Sequence, residues 1–145
     1  MRAKFIYEAL RMEDILRPKS EEEILSQLGG LSPENLLIMS SKIGFLPGVE
    51  LALERGADVH ADDDHALRWA SRNGRKDVVE FLLKNGANVH AYDYVLQLAS
   101  ENGHKDVVEL LLKNGANVHA RNDYALYWAS ANGHKDIVEL LKKYM

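Results

Sequence analysis

Cysteine is missing altogether from this chain of 145 residues, and proline occurs only three times. Without cysteine there is no disulfide, no thiolate metal site and no thiol nucleophile, a composition that fits a reducing compartment. Long apolar runs are missing too. No window approaches the ~20 consecutive apolar residues that a membrane span needs. The opening Met-Arg-Ala-Lys-Phe-Ile-Tyr-Glu-Ala-Leu-Arg-Met-Glu-Asp has no uninterrupted apolar stretch of the kind a signal peptide carries. Positive charge is not in excess. The net charge is −4, against the strongly basic face usual in nucleic-acid binders. Gly-x-Gly-x-x-Gly, the P-loop, His-Glu-x-x-His and Gly-x-Ser-x-Gly are all absent, which removes the common phosphate-cradling, zinc-protease and serine-hydrolase motifs. What remains is an ordinary composition, 46% hydrophobic and 28% charged, at a length that suits one domain.

What the chain has is repetition. Gly-Ala-Asp/Asn-Val-His occurs at 56–60, 86–90 and 115–119. Between copies, Ala-Leu-Arg-Trp-Ala-Ser at 66–71 is echoed at 95–100 and again, as Ala-Leu-Tyr-Trp-Ala-Ser, at 125–130. Gly56 to Gly86 is 30 residues and Gly86 to Gly115 is 29. A period in this range means stacked supersecondary units, each burying its neighbour's apolar face. Leu67, Ala70, Ser71 and Gly74 fall at i, i+3, i+4, i+7 and predict a helix with a small-residue face. Asn73-Gly74 signals a turn. Asp77 can cap or complement the start of a second helix, whose core side is Val78, Val79, Phe81, Leu82 and Leu83. Lys84 belongs to its last turn, and Gly86 is placed as the left-handed residue that ends it. The unit is therefore helix, tight turn, antiparallel helix and protruding loop.

The run Asn-Gly-His-Lys-Asp-Val-Val-Glu-Leu-Leu-Leu-Lys-Asn-Gly-Ala-Asn-Val-His-Ala at 102–120 resembles the ankyrin repeat almost throughout. The usual Thr-Pro-Leu-His is replaced by His65-Ala66-Leu67-Arg68, Tyr94-Val95-Leu96-Gln97 and Tyr124-Ala125-Leu126-Tyr127, and the loops are short. Short-loop repeats reading Asp-Tyr-Ala-Leu-x-Trp-Ala-Ser are similar to those of large DNA viruses and some amoeba-associated microbes. Phrases in residues 1–30 loosely resemble leaders of phage- or virus-encoded proteins. The resemblance implies an all-α helix-turn-helix solenoid that binds protein. It also implies that His104 and His134, after the turn glycines, bond backbone between neighbouring loops, with Arg75 in their place one repeat earlier.

A fourth copy lies upstream. Aligning Gly44 with Gly74 and Gly56 with Gly86 needs no gap, and Leu37, Ser40, Val49 and Leu53 then match Leu67, Ala70, Val79 and Leu83. Ser32-Pro33 reads as N-cap and first helical residue. The repeats are expected at about 31–60, 61–90, 91–119 and 120–145. Leu36, Ile38 and Met39 make the first copy more apolar, which calls for a cover. Residues 1–30, a non-repeat helical capping segment, are the candidate. Within them Ser20-Glu21-Glu22-Glu23 opens a capped helix with Ile24, Leu25 and Leu28 as its apolar face. Before Pro18, Phe5, Ile6, Ala9, Leu10 and Met12 form a helix, or Phe5-Ile6-Tyr7 is extended. At the other end Lys142 takes the register of Leu83 and Leu112, as suits an outermost repeat and a natural end.

The histidines invite a metal. His60, His90 and His119 share one register, but packed helices sit roughly 8–10 Å apart and zinc needs nitrogens about 2.0–2.1 Å away, so a surface ladder is expected instead. Asp62-Asp63-Asp64, beside His60 and His65, reads as a solvated loop without EF-hand spacing. No catalytic residue, cofactor or metal is expected. Core registers recur while loop and outer first-helix registers change. Arg68, Gln97 and Tyr127 share one position, and Arg72, Glu101 and Ala131 another. The expected protein-binding surface is therefore Asp62, Asp63, Arg68, Trp69, Arg72, Tyr92, Tyr94, Gln97, Glu101, Arg121, Asn122, Tyr124, Tyr127 and Trp128, since Trp, Tyr and Arg dominate binding hot spots. The loop Tyr92-Asp93-Tyr94 is one residue shorter than its neighbours, which predicts a notch.

The expectation is a monomeric, cytoplasmic, non-catalytic module (in host cytoplasm if the chain is viral) that binds protein through loops and first helices and binds neither nucleic acid nor membrane. One alternative is a small enzyme or enzyme modulator acting through residues 1–30, where Tyr7, Glu8, Glu13 and Asp14 lie. Another is a scaffold that oligomerises through its apolar first repeat.

Overall fold

The computed structural model describes residues 20–145, and among these the regular structure is entirely helical. Everything expected of Phe5, Ile6, Tyr7, Glu8, Ala9, Leu10, Met12, Glu13, Asp14 and Pro18 lies outside the described residues. Helix α1 (Glu21–Leu28) opens on Ser20, whose Oγ accepts the Glu23 N–H at 3.2 Å. Helix α2 (Pro33–Ile43) opens on Ser32, whose Oγ accepts the Asn35 N–H at 3.3 Å, with Pro33 where a missing N–H costs nothing. Three further helix pairs follow α2 and its partner α3 (Leu46–Glu54). They are α4 (Ala61–Arg72) with α5 (Lys76–Lys84), α6 (Val95–Glu101) with α7 (Lys105–Lys113), and α8 (Ala120–Ala131) with α9 (Lys135–Lys143).

First helices pack on first helices, α2 on α4 on α6 on α8, and second helices likewise from α3 to α9. The expected two-row solenoid is present. Helix α1 packs on α3, so it stands in the row of second helices. Leu28 is fully buried there, and Arg55 Nη1 donates to the Gly29 carbonyl at 3.0 Å. One contiguous core runs through the stack. Leu37, Leu67 and Leu96 line it from first helices, and Val49, Val79, Val108, Leu82, Leu111 and Leu141 from second helices. Leu36, Ile38 and Met39, the apolar excess of the first repeat, are buried too. Lys142, in the register of Leu83 and Leu112, is exposed.

The turn between paired helices fixes how closely repeats approach. Gly74 has φ +70° and Gly103 φ +79°, the left-handed region in which a side chain is strained. A Cβ on Gly74 would also clash with the His104 ring at Nδ1, Cε1 and Cγ, and one on Gly103 would come within 2.7 Å of His134 Cε1. Helices α3, α5 and α7 end in Schellman turns. Ala87 N–H bonds Leu82 O at 3.0 Å and Gly86 N–H bonds Leu83 O at 3.1 Å. At the start of α5, Asp77 takes the second of its two expected roles. No side chain caps α5, and Asp77 lies in its first turn, where its charge complements the dipole.

The protruding loops, which form the first turn of α4 and of α8 and the stretch before α6, are left-handed rather than α-helical. Asp62, Asp63 and Asp64 have φ of 51°, 56° and 55°, and Arg121, Asn122 and Asp123 repeat this at 55°, 59° and 58°. In the short loop only Tyr92 and Asp93 do so. Such residues cost roughly 1–2 kcal/mol each for most side chains, least for Asp and Asn, which explains the acidic composition of the tips better than solvation alone.

Candidate protein-binding surface

The final left-handed residue of each loop is an aspartate, and each faces the loop's histidine. His60 Nδ1 lies 3.1 Å from Asp64, His90 Nδ1 3.8 Å from Asp93, and His119 Nδ1 2.7 Å from Asp123. The histidine ladder thus closes each loop on itself. Among the described residues no group of three His, Asp or Glu side chains is gathered as a metal-ligand set. Asp64 does more. It is 4% exposed, and its carboxylate accepts the backbone N–H of Asn88 in the next loop at 2.8 Å.

A second set of contacts joins loops through side chains. Tyr92 O–H donates to Asp63 at 2.7 Å, a bond that pushes the phenol above its usual range. The Arg68 guanidinium donates to the carbonyls of Asp62 and Asp63, at 2.8 and 3.2 Å, and lies 5.5 Å from the Tyr92 ring centre. Arg121 sits 5.1 Å from the Tyr94 ring and 5.7 Å from that of Tyr124. These are cation–π distances.

Trp69 organises the first-helix side. It is half-buried, with Lys42 Nζ 4.4 Å from its ring centre and Arg72 Cζ 5.3 Å from it. Its indole N–H donates to His65 Nε2, one helical turn away. An indole nitrogen only donates, so His65 must accept there, and the neutral ring carries its proton on Nδ1. Burial first, then Arg68, hold the His65 pKa below its ordinary value; Asp62 opposes them and Lys42 adds to them. A cleft of about 120 Å³ opens at this point, lined by His65, Arg68, Trp69 and Arg72 of one repeat and Tyr94 and Leu98 of the next. It lies beside the short loop, where a notch was expected. On the last repeat, Tyr127 is 61% exposed and meets Trp128 edge-on at 5.2 Å.

Most of the expected surface residues are at least partly exposed, but Gln97 is not. It is 8% exposed, and its Oε1 has no hydrogen-bond partner among the described residues. Sharing a register with Arg68 and Tyr127 suggested a surface position. In α6, which follows the short loop and is flanked by α4 and α8, every residue from Val95 to Ser100 is buried. Sequence reasoning also passed over Lys42, His65 and Leu98. Lys42 aligns with Arg72 once Gly44 is aligned with Gly74, and His65 sits at i, i+4 to Trp69, so both signals were available.

Between repeats, backbone bonding follows one rule. His104 Nε2 lies 2.9 Å from Arg72 O, and His134 Nε2 3.0 Å from Glu101 O. Arg75 Nε donates to Lys42 O at 3.2 Å, taking the same part. A family model of ankyrin repeats, in three copies, matches residues 12–93 and 92–145. The chain belongs to the ankyrin repeat family. Ankyrin repeats are in general protein–protein interaction modules, and the match takes in α1 as well as the four helix pairs. No curated protein matches the chain. Among the described residues no helix is long and apolar enough to cross a membrane.

Proposed function

We propose that this ankyrin chain is a non-catalytic protein-binding module and that its partner lies along the loops and first helices. The observation that carries this reading is the row of half-exposed aromatic and cationic side chains there: Trp69 between Lys42 and Arg72, Tyr92 beneath Arg68, and Tyr94 and Tyr124 beside Arg121. Flat aromatic area next to guanidinium groups is the composition of hot spots. The second helices instead present self-satisfied pairs, Lys84 with Glu80 at 3.4 Å and Lys113 with Glu109 at 3.3 Å. The similarity of the Tyr124–Ser130 phrase to repeats of large DNA viruses extends the proposal to a host-interaction factor acting in cytoplasm.

Capture of the partner from extracts of the native host, followed by alanine substitution, tests the surface. At least one of Arg68→Ala, Trp69→Ala, Tyr127→Ala and Trp128→Ala is expected to weaken binding by about 1–2 kcal/mol or more. Changes at Glu80, Glu109 and Glu139 should do little. The reverse pattern would move the partner to the second helices and sink the assignment.

Residues 1–30 belong in this proposal as a cap. Leu28, fully buried in the row of second helices, supports that role. Leu28→Ala should cost about 2–5 kcal/mol and raise hydrophobic-dye binding; an unchanged melt would detach the segment from the repeats.

A further inference from the structure

The cleft beside Trp69 has a chemical bias that the general surface lacks. Its polar lining is almost wholly made of donors. Arg68 and Arg72 carry guanidinium groups, and His65 has only Nδ1–H left once Nε2 accepts from Trp69. Tyr94 adds a hydroxyl and Leu98 a small apolar floor. Among the described residues, Lys42, Arg68 and Arg72 make no ion pair with any carboxylate. Lys42 and Arg72 contact the faces of Trp69, and Arg68 bonds backbone carbonyls. Glu101, in the register of Arg72 one repeat on, does not pair with it, and Asp63 is engaged by Tyr92. On a chain of net charge −4, three cations without acidic partners around one cleft are a local departure from the global balance.

The size of the cleft narrows the occupant. At about 120 Å³ it is well below the ~300–1,000 Å³ of sites for free ligands. That suits one side chain of a larger partner. The indole already carries two cations, Lys42 and Arg72, which disfavours an incoming cation or methylated lysine. A nucleic-acid backbone would need a longer basic track than three side chains on an acidic protein supply.

We infer that the Trp69 cleft receives an acidic peptide segment, an aspartate or glutamate side chain held by Arg72, with the Lys42 ammonium nearby on the Trp69 ring and an apolar neighbour against Leu98. The inference rests on the protein-binding reading above and gives that surface a sequence preference. Arginine is suited to hold a carboxylate through two parallel N–H···O bonds. The Trp69 ring keeps Arg72 and Lys42 in place, which lessens the entropy lost when they engage a ligand.

The test selects 12-residue peptides from a random phage-displayed library on the full chain. Enriched peptides should carry Asp or Glu next to an apolar residue. Synthetic copies should shift the Trp69 indole N–H resonance, assigned with Trp69→Phe, in a saturable way. Arg72→Gln and Lys42→Gln should each reduce affinity tenfold or more while the melting temperature holds, and Glu→Gln within the peptide should match that loss. Enriched peptides that lack acids, or acidic ones indifferent to Arg72→Gln, overturn the inference. If those peptides still depend on Tyr127 or Trp128, the broader surface stands and only the cleft assignment falls. A single-stranded DNA oligonucleotide that displaces the peptide in an Arg72-dependent manner reassigns the cleft and also overturns it. A selection that returns no binder sinks both readings.

Discussion

The carboxylate of Asp64 and the backbone N–H of Asn88, 24 residues apart, meet at 2.8 Å and tie one protruding loop to the next. Asp64 is buried, whereas Asp123, the same register two repeats on, is 43% exposed at its side chain and, among the described residues, pairs through it with His119 alone.

Asp64→Ala therefore leaves a backbone donor without its acceptor and should cost about 1–3 kcal/mol. Asp123→Ala strands no such group and should cost clearly less. Paired denaturant melts of the two variants decide this, and equal losses would mean that the bridge adds nothing.

The turn glycines offer an internal control. Gly74→Ala drives a methyl against the His104 ring, while Gly133, with the same left-handed geometry at φ +77°, has nothing within 4 Å of an added Cβ. Gly133→Ala should lose only the backbone term, about 1 kcal/mol. Gly74→Ala should lose that plus whatever shift His104 needs to move off the Arg72 carbonyl. Thermal denaturation of both variants separates the two contributions. Similar melts would show that His104 moves at no cost.

Much of this was visible without coordinates. The period, the glycine turns, the Ser20 and Ser32 caps and the two-helix unit all follow from short sequence patterns and their recurrence. The left-handed loop tips were hidden because Asp-Asp-Asp is equally consistent with a solvated run, and only backbone angles tell the two apart. Gln97 was misplaced for a related reason. Register alignment assumes that each first helix is equally covered, and α6 is buried from Val95 to Ser100 where Arg68 and Tyr127 reach solvent. The cation pair around Trp69 needed two repeats superposed, which a single repeat's pattern cannot supply.

Core and edge should respond differently to truncation. Leu111 is fully buried between helices of neighbouring repeats, so Leu111→Ala should cost about 2–5 kcal/mol. Lys142→Ala on the exposed outer side of α9 should fall within about 0.5 kcal/mol of the parent. Chemical denaturation followed by circular dichroism tests the contrast, and comparable losses would contradict the placement of Lys142 outside the core.

His65 gives a pH signature. Its pKa is lowered by burial first and by Arg68 next, so the folded state resists the proton that the unfolded chain accepts near the ordinary value of 6.5. Its contribution to stability is then complete above about pH 6.5 and is lost as pH falls from there through the lower folded pKa. An NMR titration of the imidazole should give a value below 6.5, and Arg68→Ala should raise it. A midpoint at or above 6.5 would contradict the Trp69–His65 geometry.

The left-handed tips have a consequence for how such a chain can change its partner. The closing position of each tip is always aspartate, Asp64, Asp93 or Asp123, because one residue must both tolerate positive φ and reach its histidine. The tip's end is thus written in a one-letter alphabet, while the opening residue is free to be Asp62, Tyr92 or Arg121. Diversity is channelled into that opening residue and into first-helix positions such as 68 and 72. A library built to retarget the chain would randomise those and leave the aspartates untouched.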